Sequence, residues 1–211
     1  MSELIACIIA YNEARLLPGC LESIRHKVDK IVVVEGRIEA FPGKWAYSTD
    51  NTVGIAKEAG AQVITSPTPW ADEATMRSQF LVGNEGDWYI IIDADERCMT
   101  PLPNIHSLPA NVHAYSIMVK MIGDGGGKYR PRLFRHRGKM EFREIHDALF
   151  SDGVLVSNPN NVPHLDSVWF AHRQMERCQE RRTSKREYYK HGYAHEPAYR
   201  KEWEMNDGHN N

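Results

Sequence analysis

Asp93, Asp95 and Glu96 close the stretch GDWYIIIDADER, residues 86–97, and place three carboxylates within four positions. Carboxylates that close repel one another unless something positive sits among them. Two hard oxygen ligands at Asp-x-Asp spacing suit Mg2+ or Mn2+, which relieves the repulsion and bridges to phosphate oxygens. The apolar run before them is fit for a buried strand, and alternation along a strand sends Asp93 and Asp95 to one side and Ala94 away. The small Ala94 leaves room for a ligand to approach. A strand that ends in a solvated acidic loop would show the same residues, so the elements around the motif have to decide.

Three short, β-branched apolar runs stand in the first half: LIACIIAY at 4–11, KIVVVEG at 30–36 and WYIIIDAD at 88–95. Runs of this kind suit strands buried on both faces of a parallel sheet. Between them, EARLLPGCLESIRHKV carries Leu16, Leu17, Cys20, Leu21 and Ile24 at helical spacing, and NTVGIAKEAG predicts a helix stopped by Gly60. AQVITSP reads as a further strand and ADEATMRSQFLVGNEG as a further helix. The alternation is the βαβ pattern of a doubly wound α/β sheet, in which ligands sit outside the carboxyl ends of the strands. The acids of IIIDADE fall at such an end.

Beyond residue 97 the regularity fades. HAYSIMVKMIG reads as a strand, DGGGK as a loop, and RPRLFRHRGKMEFREIHDALF as a basic β-ribbon. The segment 167–190 mixes Arg and Lys with Glu and reads as a charge-laced helix; the last fifteen or so residues read as a frayed tail. The expected organisation is one α/β domain over 1–165, a helical extension over 166–195 and a flexible tail over 196–211.

With 26 basic and 28 acidic residues in 211, global charge singles out neither a nucleic-acid binder nor an acidic solvating chain. Cys7, Cys20, Cys98 and Cys178 lie far apart with no CxxC pair, which speaks against a zinc knuckle or disulfide framework and for a reducing compartment. The apolar opening LIACIIAYNE lacks a basic n-region and is far short of the ~20 residues of a membrane span. The expectation is a cytoplasmic protein, with the inner face of the membrane as its alternative place.

Taken in order, these pieces resemble the family 2 glycosyltransferases of GT-A fold, in particular the small bacterial transferases of lipopolysaccharide core sugars. IIAYNEARLLPGCLESI is similar to the family's opening strand with its Tyr-Asn-Glu and helix, DKIVVVEG to the second strand, STDNTVGIAKEAGAQVI to the Ser-x-Asp-x-Thr segment, and GDWYIIIDADE to the strand bearing Asp-x-Asp. YRPRLFRHRGKMEFREIHDALF is similar to the segment ending in a His followed by an acid. The resemblance covers about residues 4–165. Two departures stand out: Glu35 occupies a strand end where the family usually has Asp, and GRIEAFPGKWAY, 36–47, is inserted where the family is usually short.

The resemblance implies a mostly parallel sheet flanked by helices, a small β-ribbon and a C-terminal helix. It implies transfer of a sugar from a nucleotide-diphosphate sugar, a UDP-sugar first, to a hydroxyl of a glycan or glycolipid, with inversion and with Mn2+ or Mg2+. Asp95 is then the direct metal ligand and Asp93 the contact to ribose or, through water, to the metal. An imidazole can complete a Mn2+ shell, which makes His146 the third ligand and His164 its rival. Tyr11 would stack on a base while Asn12 and Glu13 fix the ribose or the loop, although Asn12 could as well cap a helix. Glu35 and Asp50 would accept hydrogen bonds from the nucleoside; Asp50 equally suits the cap of the next helix. Arg77 resembles the family's basic residue near the diphosphate. Inversion needs a carboxylate to take the acceptor's proton, for which Asp147 stands first, with Glu144 and Glu141 behind it.

Arg130, Arg132, Arg135, Arg137, Lys139 and Arg143 would meet a phosphorylated acceptor or an anionic bilayer, or else line a solvated ribbon face. Two other readings compete with transfer. A sugar-phosphate nucleotidyltransferase would need a Gly-rich, Lys-containing loop after the first strand, and YNEARLLPG offers none. A non-catalytic nucleotide-sugar-binding module is compatible with the altered Glu35.

Overall fold

The computed structural model describes residues 3–84, 86–123, 125–143, 148–158, 161–173, 176 and 179–192. Strand β1, Leu4–Ala10, lies in the middle of the parallel half of the sheet, between β2, Lys30–Glu35, and β4, Trp88–Ile91. The strand β3, Gln62–Thr65, extends that half beyond β2. Side chains of β1 alternate between two apolar layers. Leu4, Ala6 and Ile8 pack with Leu17, Cys20, Leu21 and Ile24 of helix α1, Leu17–Ile24, while Ile5 and Cys7 pack with Met76 of α3, Glu73–Ser78, and with Phe80, Phe142 and Leu149. A continuous apolar run is what burial on both faces requires.

Helix α2, Thr52–Glu58, joins β2 to β3 and is followed by Gly60 at φ +79°, the left-handed stop that favours glycine. Helix α3 starts at Asp72, whose side chain accepts the Thr75 backbone N–H at 2.6 Å. Asp72→Ala removes this cap, and urea unfolding should show a loss of about 1 kcal/mol.

The other half of the sheet is mixed. Its strands are β5, Glu96–Cys98; β6, Ala114–Met121; β7, Gly127–Arg135; and β11, His164–His172. The full order is β3-β2-β1-β4-β7-β6-β11-β5, with β7 antiparallel to β4 and β6, β11 parallel to β6, and β5 antiparallel to β11. A small antiparallel sheet holds β8, Met140–Phe142, β9, Leu149–Ser151, and β10, Val154–Leu155. Helix α4, Gln179–Gly192, follows β11. The α/β architecture with its mostly parallel sheet, small ribbon and C-terminal helix is therefore present.

Two local expectations are corrected. The segment from 167 is not helical at its start: β11 occupies His164–His172 and crosses the boundary expected at 165, because Val168, Phe170 and Ala171 are buried in the sheet between β6 and β5. The basic ribbon is also divided, since β7 belongs to the large sheet and only β8 and β9 form the small one. Among the described residues no helix is long and apolar enough to cross a membrane.

Candidate functional site

Strand β4 stops at Ile91, and Ile92 still donates its N–H to the Cys7 carbonyl at 3.2 Å. The chain then turns: Glu96 N–H donates to the Asp93 carbonyl at 2.8 Å before β5 begins. Asp93 and Asp95 thus sit in a turn at the carboxyl end of β4, not on a strand, and the alternation argument for their direction does not hold. The side chain of Asp93 is 30% exposed, and that of Asp95 is completely buried.

Two arginines grip Asp93. Arg77, on α3, reaches Oδ1 at 3.3 Å and also pairs with Glu73 at 2.8 Å; Arg132, on β7, reaches Oδ2 at 3.0 Å. Arg132 also binds Glu96 Oε1 at 2.9 Å, and Glu96 Oε2 accepts the Asp93 backbone N–H at 3.0 Å. The carboxylates read as mutually repelling are therefore interleaved with guanidinium groups inside the protein. Burial pushes the Glu96 carboxyl up to about 7, against the opposing pull of the Arg132 charge.

Asp95 meets a different partner. Its Oδ2 lies 2.7 Å from Nε2 of His172, the last residue of β11, while Nδ1 of that ring faces Met121 Sδ at 3.0 Å. The Arg173 N–H fixes the Asp95 carbonyl at 2.8 Å, and Cys20 Sγ contacts the Asp93 carbonyl at 3.4 Å. Arg97 ties the turn to the first loop by donating to the carbonyls of Leu16, Ala94 and Glu96. Its guanidinium passes so close to Gly19 that a Cβ there would stand 2.4 Å from Nε, so a larger residue at that position would have to displace the Arg97 side chain. A carboxylate and an imidazole nitrogen at hydrogen-bond distance form a donor pair suited to Mn2+. Among the described residues no group of three or more His, Cys, Asp or Glu side chains is arranged to hold a metal.

The loop after β1 forms the neighbouring lip. Asn12 has φ +53°; its N–H donates to Ser48 Oγ at 2.8 Å and its Oδ1 accepts the Thr49 N–H at 2.8 Å, so it pins two loops together and caps no helix. Glu13 is buried, with its N–H on Thr52 Oγ1 at 2.9 Å. Asp50 accepts from the Ala14 N–H at 3.0 Å and from Thr52 N–H and Oγ1. Glu35 is buried and accepts the Ser48 N–H at 2.5 Å, and the Tyr11 hydroxyl donates to the Trp45 carbonyl at 3.2 Å. Tyr11 also stands edge-on to Phe41, against which Tyr188 of α4 packs at 5.3 Å. These five residues lie about the carboxyl edge of β1 and β2, where their hydrogen bonds hold the lip together.

His146, Asp147 and Glu144 lie outside the described residues. His164 stands at the opposite end of β11 from His172, stacked on Tyr129 with ring centroids 3.6 Å apart, and is not brought to Asp95. Glu141 pairs with Arg143 on the small sheet. Of the other basic residues, Arg135 donates to the carbonyls of Leu108, Pro109 and Val112 and lies over the Trp88 ring, and Arg137 donates to Ala110. Sequence reasoning missed His172 and the role of Arg132. The available signal for His172 was its place after the apolar run Val168–Ala171, at the end of a strand.

Residues 5–151 match the family model described as Glycosyl transferase family 2. The chain belongs to this family. Among relatives of this family 2 chain, a glycosyltransferase of Rickettsia felis is 34% identical over 174 residues, covering 81% of this chain and 56% of the relative. A TPR repeat-containing protein of Synechococcus elongatus is 32% identical over 163 residues, covering 74% of this chain and 37% of the relative. The chain thus spans about half, or less, of the length of these relatives. Of solved structures, TarS of S. aureus in complex with UDP aligns at TM-score 0.46 and 19% identity, over 59% of this chain and 37% of that one. Glucosyl-3-phosphoglycerate synthase from Mycobacterium tuberculosis, in complex with Mn2+, UDP and glucosyl-3-phosphoglycerate, aligns at 0.44 and 19%, over 58% and 45%.

Proposed function

We propose that this family 2 chain carries the donor site of a metal-dependent glycosyltransferase that moves a sugar from a nucleotide-diphosphate sugar to a hydroxyl of a glycan or glycolipid, with inversion. The observation that carries the reading is the turn after β4: Asp95 against His172 at 2.7 Å, beside Asp93 held by Arg77 and Arg132, at the carboxyl edge of the parallel strands. Asp95 and His172 would hold Mn2+ or Mg2+, which supplies positive charge for the departing diphosphate. Arg77 and Arg132 fix the direction of Asp93, so that its partly exposed carboxylate can accept from a ribose hydroxyl without reorganising. The proton of the acceptor hydroxyl goes to a carboxylate, for which Asp147 stands first.

The test is a thermal-shift screen of UDP, GDP, CDP and dTDP, each with and without Mn2+. A ligand at a hundred times its Kd stabilises by about 2.7 kcal/mol, which for a chain of this size is an upward shift of roughly 5–10 °C. One nucleotide, UDP first, should give that shift only with the metal present. Folded protein that responds to none of them overturns the reading.

A further inference from the structure

The insertion 36–47 leaves two large rings in solvent beside this edge. Trp45 is 45% and Tyr47 51% exposed, with ring centroids 5.9 Å apart and planes inclined by 26°. Aromatic rings are the costliest side chains to leave in water, and a loose loop would be the bland explanation. The backbone says otherwise. Arg37 donates through Nε to the Trp45 carbonyl at 3.2 Å and through Nη1 to the carbonyls of Glu39 and Phe41 at 2.8 Å each. The Arg37 N–H donates to the Ala46 carbonyl at 2.7 Å, the Tyr11 hydroxyl to the Trp45 carbonyl, and the Ser48 N–H to Glu35. The main chain on both sides of the rings is thus fixed to the lip of the donor site while the rings themselves stay about half exposed.

The chemistry of the pair is mixed. Among the described residues neither the Trp45 indole N–H nor the Tyr47 hydroxyl has a hydrogen-bond partner, and the Lys44 ammonium lies 4.8 Å over the Trp45 ring. Two half-exposed, nearly parallel rings with free N–H and O–H donors at their edges and an ammonium over one of them match a pyranose, whose C–H face packs on a ring while its hydroxyls reach the polar groups. Rigid Trp and Tyr side chains lose little entropy in such contacts. A bilayer anchor would need further apolar side chains alongside; here Arg37, Glu39, Lys44 and Ser48 flank the pair, and the other exposed large apolar residues, such as Met99 and Val154, lie on other elements.

We propose that Trp45 and Tyr47 form a stacking platform for a sugar ring of the acceptor at the rim of the donor site. The proposal rests on the glycosyltransferase reading and names where its acceptor lies. The test uses the full chain, Trp45→Ala, Tyr47→Ala, Tyr47→Phe and the double alanine variant. Saturation-transfer NMR is recorded with the methyl glycosides of glucose, galactose, mannose and N-acetylglucosamine, and the nucleotide thermal shift with Mn2+ is measured in parallel. At least one glycoside should take up saturation from the wild type, losing at least fivefold of the signal in the double variant and keeping it in Tyr47→Phe, with the nucleotide shift unchanged. Absence of any glycoside signal in the wild type overturns the proposal, and so does an equal signal in the double variant. Loss of the nucleotide shift in the variants would assign the rings to the donor base, and Trp45-dependent binding to phosphatidylglycerol vesicles would assign them to a membrane; either outcome overturns it. A wild type that takes a glycoside on these rings but shifts with no nucleotide leaves the platform standing and removes the donor reading.

Discussion

Asp95→Asn should abolish metal-dependent nucleotide binding while leaving a folded protein. The substitution keeps the volume and a polar group opposite His172, so the 2.7 Å contact survives as a hydrogen bond, but it removes the negative charge that a divalent cation needs. If the cation contributes about 4 kcal/mol to stabilising the leaving diphosphate, transfer falls about a thousandfold in kcat/KM. Circular dichroism and the thermal midpoint without ligand check the fold; the Mn2+-dependent nucleotide shift reads the site. His172→Ala separates two roles of the imidazole. A ligand of the metal should lose binding almost as fully as Asp95→Asn does, whereas a group that only orients Asp95 should cost about 10–100-fold in metal affinity. Asp95→Asn protein that binds nucleotide as tightly as wild type in Mn2+ removes the metal from this pair.

What could be read from the sequence follows from how local the cause was. β1, β2 and β4 were visible because each is a continuous apolar run, and α1 because Leu17, Cys20, Leu21 and Ile24 repeat at the helical period on a single face. β11 was hidden. Its buried residues form only the short run Val168–Ala171 between charged neighbours, and its partner β6 lies about fifty residues earlier in the chain. The dense Arg and Glu that follow pull the same window toward a helix, which the structure starts only at Gln179.

The site shows the same division. That acids at the end of β4 needed positive charge among them was legible, but which cations would supply it was not. Arg132 reads as one of a basic row on a ribbon, and only the pairing of β7 with β4 brings it under the turn. His172 was one of ten histidines with no motif around it. The strand-alternation argument failed for Asp93 and Asp95 because the chain leaves the sheet after Ile91, a boundary that an unbroken run of three isoleucines conceals.

Arg132→Leu should be the most damaging single change to stability at this edge. Arg132 and Glu96 are both buried, and the guanidinium holds Glu96 Oε1 at 2.9 Å and Asp93 Oδ2 at 3.0 Å. Leucine fills part of the space but leaves the Glu96 carboxylate inside the protein without its main counter-charge. Breaking a buried pair from one side costs about 3–5 kcal/mol, equivalent to roughly 6–20 °C in the midpoint of a chain this size. The partner substitution tells whether the pair or the charge is responsible: Arg132→Leu combined with Glu96→Gln removes both charges and should recover at least half of the loss. Function need not return with it, because Asp93 keeps its pair with Arg77 at 3.3 Å but loses the Arg132 contact that fixes its second oxygen. Recovery of stability without recovery of the nucleotide shift would separate the two duties of Arg132, holding Glu96 in the core and aiming Asp93 at the ligand edge. A midpoint within 2–3 °C of wild type in the single variant, a loss of about 1 kcal/mol or less, would show that the buried network is not held by this arginine.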